Sequence, residues 1–153
     1  MNTILIDVEN IPEPNWLEGL ESWINQVLIH LGRDGWEVSL VLCDDATIAA
    51  LNSEYRGKEG PTDVLSFAQV EDATEIPQSG PFVAGDIIIS LDSARSNAEY
   101  FKVGLDEEFK RLVIHGLLHL SGIDHASNDA TEPMLLLQEK ILAENPGETL
   151  LKP

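Results

Sequence analysis

The chain has 153 residues, 43% of them hydrophobic, which is enough for one globular domain with a single core over residues 1–153. Its 27 acidic and nine basic residues give a formal net charge of −18, which excludes a broad basic surface, so any RNA would be held locally by a few cations. A single cysteine excludes an internal disulfide and a thiolate-rich metal site. The sequence shows no basic leader and no apolar run of membrane-spanning length, so we expect a soluble cytoplasmic protein with no membrane partner.

The first half of the chain is predicted to alternate strands and helices. We expect a strand over 4–8, an amphipathic helix over 15–32, a strand over 38–42 and a helix over about 45–54. Asp44 or Asp45 is expected to cap the last of these helices. His30 falls at the edge of the apolar stripe of the first helix and is interpreted as a surface or structural residue.

The second half is predicted to contain two strands followed by three helices. A glycine- and proline-containing loop leads to a strand over 64–67, an acidic exposed connection over 69–83, a strand over 86–90, helices over 92–102, 106–120 and 128–143, and a loose polar tail from residue 145. Residues 87–89 are apolar throughout, which is typical of a strand covered on both faces. The helix over 106–120 is apolar nearly all round, which favours a central, buried position.

The sequence HGLLHLSGIDH contains three of the four histidines, His115, His119 and His125. Residues four apart share one face of a helix, so the first two imidazoles can bind one ion. Gly122 is expected to end the helix in a left-handed turn that returns His125 to the same ion. Three neutral imidazoles leave a fourth tetrahedral position open for water, which is the arrangement of catalytic zinc sites.

Two other interpretations of this window are considered. The histidines could be core or capping residues without a metal. The window also matches the zinc-peptidase pattern H-E-x-x-H-x-x-G-x-x-H at each ligand and at the glycine, but Gly116 occupies the position of the glutamate that serves as general base in those enzymes. Peptide hydrolysis is therefore a minor alternative.

Together, LNSEYRGKEGPTDVLSF, AGDIIIS and HGLLHLSGIDH resemble the YbeY family of bacterial endoribonucleases, also called rRNA maturation factors, over roughly residues 36–143. The resemblance implies an α+β fold with a small mixed sheet of about four strands, about five helices and a zinc-peptidase-like metal helix. It implies that His115, His119 and His125 bind one zinc ion, and that Arg56 corresponds to the arginine that the family needs for activity. Ile123 departs from the family, in which a tyrosine is frequent at that position.

The leading hypothesis is a zinc-dependent, single-strand-specific endoribonuclease that acts on rRNA in maturation and ribosome quality control, with the ribosome or ribosome-associated proteins as partners. Arg56 would stabilise charge that develops on the phosphate oxygens. Its simpler interpretation is a surface residue paired with Glu54 or Glu59. Asp124 could orient a ligand imidazole, serve as a proton acceptor or cap the turn. The second hypothesis is a non-catalytic, ribosome-associated protein with a structural metal.

Overall fold

The computed structural model of the chain describes residues 1–123, 129 and 131–152. Within them, four strands form one mixed sheet in the order β1-β2-β4-β3. The strands are β1 (Thr3–Val8), β2 (Trp36–Cys43), β3 (Val64–Ala68) and β4 (Phe82–Ser90). Strands β1, β2 and β4 run parallel, in a register that aligns Ile6 with Leu40 and Leu40 with Ile87. Strand β3 pairs antiparallel with β4 at the sheet edge, with Ser66 opposite Ile87.

Five α-helices accompany the sheet in the described part of the chain, so the predicted α+β class is confirmed. They are α1 (Leu17–His30), α2 (Asp45–Arg56), α3 (Leu91–Phe101), α4 (Leu105–Leu120) and α5 (Pro133–Glu144), and a short 3₁₀ helix covers Ala73–Glu75. Asp44 caps α2 as predicted, because its carboxylate accepts a hydrogen bond of 2.9 Å from the Thr47 amide. The predicted start of the last helix, residue 128, lies outside the described residues. No described helix is both long and apolar enough to cross a bilayer.

Both faces of β4 are covered, as its apolar sequence predicts. Ile87 and Ile89 belong to the main core, together with buried residues of α1 and α4. Ile88 points to the other face, where it packs in a smaller cluster with Cys43 and with Ile48 of α2. Burial raises the pKa of the Cys43 thiol to about 12, which is typical of an unreactive core cysteine.

Strand β4 begins at Phe82, four residues before its predicted start at residue 86. Phe82 packs edge to face on Trp36 of β2, with the ring centroids 5.4 Å apart. The pairing then shifts register between Glu37 and Val38, and Gly85 takes a φ of +140°. A glycine inside a strand commonly accompanies such an irregularity. The glycine interrupts the apolar run in the sequence, whereas the tertiary contact with β2 continues the strand through it.

The prediction of a loose tail after residue 145 is wrong for the described residues up to 152. Lys110 of α4 is fully buried, and its ammonium donates to the carbonyls of Pro146 and Glu148 at 2.7 and 2.6 Å. The same ammonium lies 2.8 Å from the Asp106 carboxylate. A buried lysine requires such partners, because an unpaired charge in the core is very costly. The tail supplies them and is thereby fixed to α4.

Candidate metal centre

The candidate centre lies on α4, which packs against strands β3 and β4. Helix α4 begins after Gly104 with three acidic residues in its first turn, where the positive end of the helix dipole favours anions. His115 and His119 are half-buried, while the residues between them are buried. The two histidines therefore lie at the rim of the core, as predicted.

The two imidazoles face each other through their Nε2 atoms, which are 3.0 Å apart. The rings are inclined at 71°, with their centroids separated by 4.6 Å. In a tetrahedral zinc site with Zn–N bonds of about 2.0–2.1 Å, two ligand nitrogens are about 3.3–3.4 Å apart. The observed separation is a few tenths of an ångström shorter, a difference that small side-chain rotations can remove. This pair of nitrogens therefore fits two positions of a zinc coordination sphere.

Of the other predicted residues of the motif, the structure describes Gly122 but not Asp124 or His125. Gly122 adopts the left-handed conformation predicted for it, with a φ of +80°. An added Cβ there would approach the Ala73 amide nitrogen to 2.8 Å, so the turn after α4 has no space for a side chain. His125 and Asp124 lie outside the described residues. Across 1–123, 129 and 131–152, no group of three or more histidine, cysteine, aspartate or glutamate side chains could hold a metal ion.

Gly116, which stands where zinc peptidases have their glutamate, lies against the sheet. A Cβ added to it would be 2.8, 2.9 and 3.0 Å from the Cγ2, Cδ1 and Cγ1 atoms of Ile87. Such contacts are shorter than van der Waals distances, so even alanine would be crowded here. The close approach of α4 to β4 therefore leaves no space for a carboxylate at this position, which argues against a peptidase mechanism.

Gln138 of α5 contacts the outer side of His115. Its Oε1 is 2.7 Å from His115 Nδ1, and its Nε2 donates to the Glu139 carboxylate at 3.2 Å. Sequence reasoning missed this residue. The available signal was a polar side chain on the buried face of α5, which Gln138 shares with Met134 and Ile141.

Arg111 connects the carboxylates around this contact. It donates to both oxygens of Glu139 at 2.9 Å and also bonds to Glu107 and Glu108 on its own helix. These hydrogen bonds lower the pKa of Glu139 and raise the pKa of Arg111. Glu108 behaves differently because it is buried: desolvation raises its pKa in spite of its bonds to Arg111 and Asn97.

Arg56 lies at the end of α2, on the exposed edge of the sheet. Its NH2 group donates to the Ser66 carbonyl of β3 at 2.9 Å, and its guanidinium lies 5.5 Å from the centre of the Phe67 ring. Tyr55 packs edge to face on the same ring at 5.6 Å. Arg56 forms no ion pair with any residue the structure describes, Glu54 and Glu59 included. Its interpretation as a carboxylate-paired surface residue is therefore not supported.

His30 and Arg95 each form an ion pair at the surface. His30 pairs with Glu144 at the surface, with 3.0 Å between Nε2 and Oε2, in agreement with its structural interpretation. Arg95 lies 3.8 Å from Asp92 in an exposed pair. Such pairs contribute little to stability.

Comparison with known proteins gives concordant matches. The family model described as Endoribonuclease YbeY matches residues 5–145. Endoribonuclease YbeY of Treponema pallidum is 44% identical over 145 residues, covering 95% of this chain and 91% of the relative. The Treponema denticola protein of the same name is 48% identical over 123 residues, covering 80% and 79%. The solution structure of a Thermotoga maritima protein has 25% identity and a TM-score of 0.63, covering 93% of this chain and 91% of that one.

Proposed function

Because this chain belongs to the YbeY family of endoribonucleases, we propose that it hydrolyses phosphodiester bonds in single-stranded RNA with one zinc ion bound by His115, His119 and His125. The observation that carries the metal assignment is the 3.0 Å approach of the His115 and His119 Nε2 atoms on one face of α4. The close packing of Gly116 on Ile87 supports a nuclease over a peptidase, because the general base of the peptidases has no place there.

The donor set is suited to zinc. Neutral imidazole nitrogen is a common zinc ligand, and three protein ligands are typical of catalytic rather than structural sites. When bound, such an ion supplies Lewis-acid assistance to phosphodiester hydrolysis. The protein residues that would hold the ion are the three histidines.

Arg56 is proposed to bind the substrate phosphate. A guanidinium has five donor hydrogens, and within the described chain Arg56 directs only one hydrogen bond, to the Ser66 carbonyl. The remaining donors can bind phosphate oxygens in the paired geometry that arginine favours. The bond to Ser66 and the contact with Phe67 fix the side chain at the β3 edge before RNA arrives.

RNA binding must occur against a net charge of −18. At physiological ionic strength exposed charges are screened beyond about 8–10 Å. A phosphate bound at Arg56 therefore experiences mainly its local surroundings. This favours short single-stranded segments over long duplexes, which would extend across the acidic surface.

We place the activity in rRNA processing and ribosome quality control in the cytoplasm, with the ribosome or ribosome-associated proteins as partners. The support is the family resemblance of the three sequence blocks. An acidic protein that meets RNA at one small site is suited to a substrate presented by a larger ribonucleoprotein particle.

The test is RNA cleavage by zinc-loaded protein, with labelled single-stranded RNA, duplex RNA of the same sequence and a peptide mixture as substrates. We expect cleavage of the single strand, its loss in His119→Ala together with the loss of bound zinc, and no effect of the matched control His30→Ala. Arg56→Ala should retain zinc but lose most of the activity.

Three outcomes would contradict the proposal. Cleavage that persists in His119→Ala would identify a contaminating nuclease. Zinc binding without cleavage of any substrate would favour the non-catalytic ribosome-associated protein. Full activity of Arg56→Ala would remove this residue from the mechanism.

A further inference from the structure

The polar contact behind His115 has a defined direction that can be deduced from hydrogen-bond chemistry. The Gln138 amide lies between His115 Nδ1, 2.7 Å from Oε1, and the Glu139 carboxylate, 3.2 Å from Nε2. Gln138 itself is buried. A buried amide is stable only if its oxygen accepts and its nitrogen donates.

Glu139 determines which end of the amide faces which neighbour. Arg111 donates to both oxygens of the Glu139 carboxylate at 2.9 Å, an arrangement that favours the ionised form. An ionised carboxylate can only accept hydrogen bonds. The NH2 group of Gln138 must therefore face Glu139, and its oxygen must face His115.

The amide oxygen in turn selects one form of the imidazole. Because that oxygen can only accept, the hydrogen of neutral His115 lies on Nδ1. A neutral imidazole carries one such hydrogen, so Nε2 retains its lone pair. This is the nitrogen that lies 3.0 Å from His119 Nε2.

We propose that Gln138, oriented by the Glu139–Arg111 pair, is a positioning residue that holds His115 in the Nδ1–H tautomer and so presents its Nε2 lone pair to a divalent cation. The inference rests on the proposed function, because it assigns His115 to the metal. Partners that orient ligand histidines typically change metal affinity by about 10–100-fold when they are removed. The Glu139–Arg111 pair therefore acts on neutral His115 indirectly, through the Gln138 amide.

The test uses Gln138→Met, which retains a long unbranched side chain of similar size and removes the amide. The control is Gln26→Met on α1, which removes the amide of an exposed residue bonded to Asn145 instead. Nitrogen-15 NMR of the metal-free protein, through the two-bond couplings of the imidazole ring, reports which nitrogen of His115 carries the hydrogen. Competition with a chelating dye gives the dissociation constant for zinc.

In the wild type and in Gln26→Met we expect the Nδ1–H form and equal zinc affinity. In Gln138→Met we expect a shift toward the Nε2–H form and zinc binding weaker by about 10–100-fold. Unchanged tautomer and affinity in Gln138→Met would overturn the inference, even if that variant melts at a lower temperature, because packing alone would then explain the residue. If the wild type itself binds no divalent ion, the metal assignment of the proposed function is wrong, and so is the role of Gln138 in zinc binding.

A second variant covers the case in which Gln138→Met does not fold. Glu139 is half exposed, with 51% of its side chain accessible, so Glu139→Ala is expected to fold. Without the carboxylate the amide can reverse its ends, so we expect a mixture of the two His115 tautomers and a smaller loss of affinity. A pure Nδ1–H signal with wild-type affinity in Glu139→Ala would show that the pair does not orient the amide.

Discussion

Replacement of Gly116 by alanine tests how closely α4 approaches the sheet. The new methyl would lie 2.8–3.0 Å from three atoms of Ile87, whereas carbon atoms in contact are normally about 3.5–4.0 Å apart. Overpacking of this kind costs about 1–3 kcal/mol. Alanine in place of glycine inside a helix recovers about 1 kcal/mol. Gly116→Ala should therefore lower the free energy of unfolding by about 1 kcal/mol.

The sign of the effect should reverse when Ile87 is truncated. Ile87→Ala alone should cost about 2–5 kcal/mol, as large-to-small changes in a core do. It also removes all three crowding atoms, so that Gly116→Ala in the Ile87→Ala background should stabilise by about 1 kcal/mol. The measurement is urea unfolding of the four proteins in this cycle, which isolates the coupling between the two positions.

Gly104→Ala is the control for this cycle. Gly104 precedes the same helix, and an added Cβ there meets nothing within 4 Å. Its effect should be the same with either residue at position 87. An equal effect of Gly116→Ala in both backgrounds would refute the inferred close contact between α4 and β4.

Two further predictions concern the buried charges of α4. Lys110→Met removes one partner of a buried ion pair and both contacts with the tail. It should lower the free energy of unfolding by about 3 kcal/mol and speed amide exchange in residues 147–151. Unchanged exchange there would mean that Lys110 does not fix the tail. Glu108→Gln tests pH dependence. Since burial raises the pKa of folded Glu108 above its ordinary value of 4.5, its ionisation favours unfolding, so wild-type stability should fall relative to Glu108→Gln as the pH rises through and above 4.5. Parallel stability–pH curves would contradict this reading of Glu108.

Residues that act through distant partners were beyond prediction from the sequence. Gln138 is a single polar residue on an apolar helix face, and nothing in its local sequence indicates His115, 23 positions earlier, as its partner. The polar composition of the tail predicted a loose segment. That prediction failed because the buried ammonium of Lys110, which binds the tail carbonyls, lies 36 residues earlier in the chain. Both errors concern hydrogen bonds between segments that only the fold brings together.

Local features, in contrast, were predicted well. The apolar periodicity and the cap at Asp44 predicted the strands and helices, because secondary structure depends strongly on residues close together in the sequence. The placement of His115 and His119 on one helix face follows from their spacing alone, and the structure confirms it with their 3.0 Å approach. The metal that they are proposed to bind, and the role of Arg56, stay predictions.

The amino-acid sequence by itself determined the order of strands and helices, the turn at Gly122 and the pairing of two histidines, since each depends on contacts within a few residues along the chain. The tertiary structure alone decided the direction of the Gln138 amide, the exclusion of a side chain at Gly116 and the partners of Arg56. These depend on how closely separate elements pack. Differences of a few tenths of an ångström in these packing distances result from the whole core and are not encoded in any short segment.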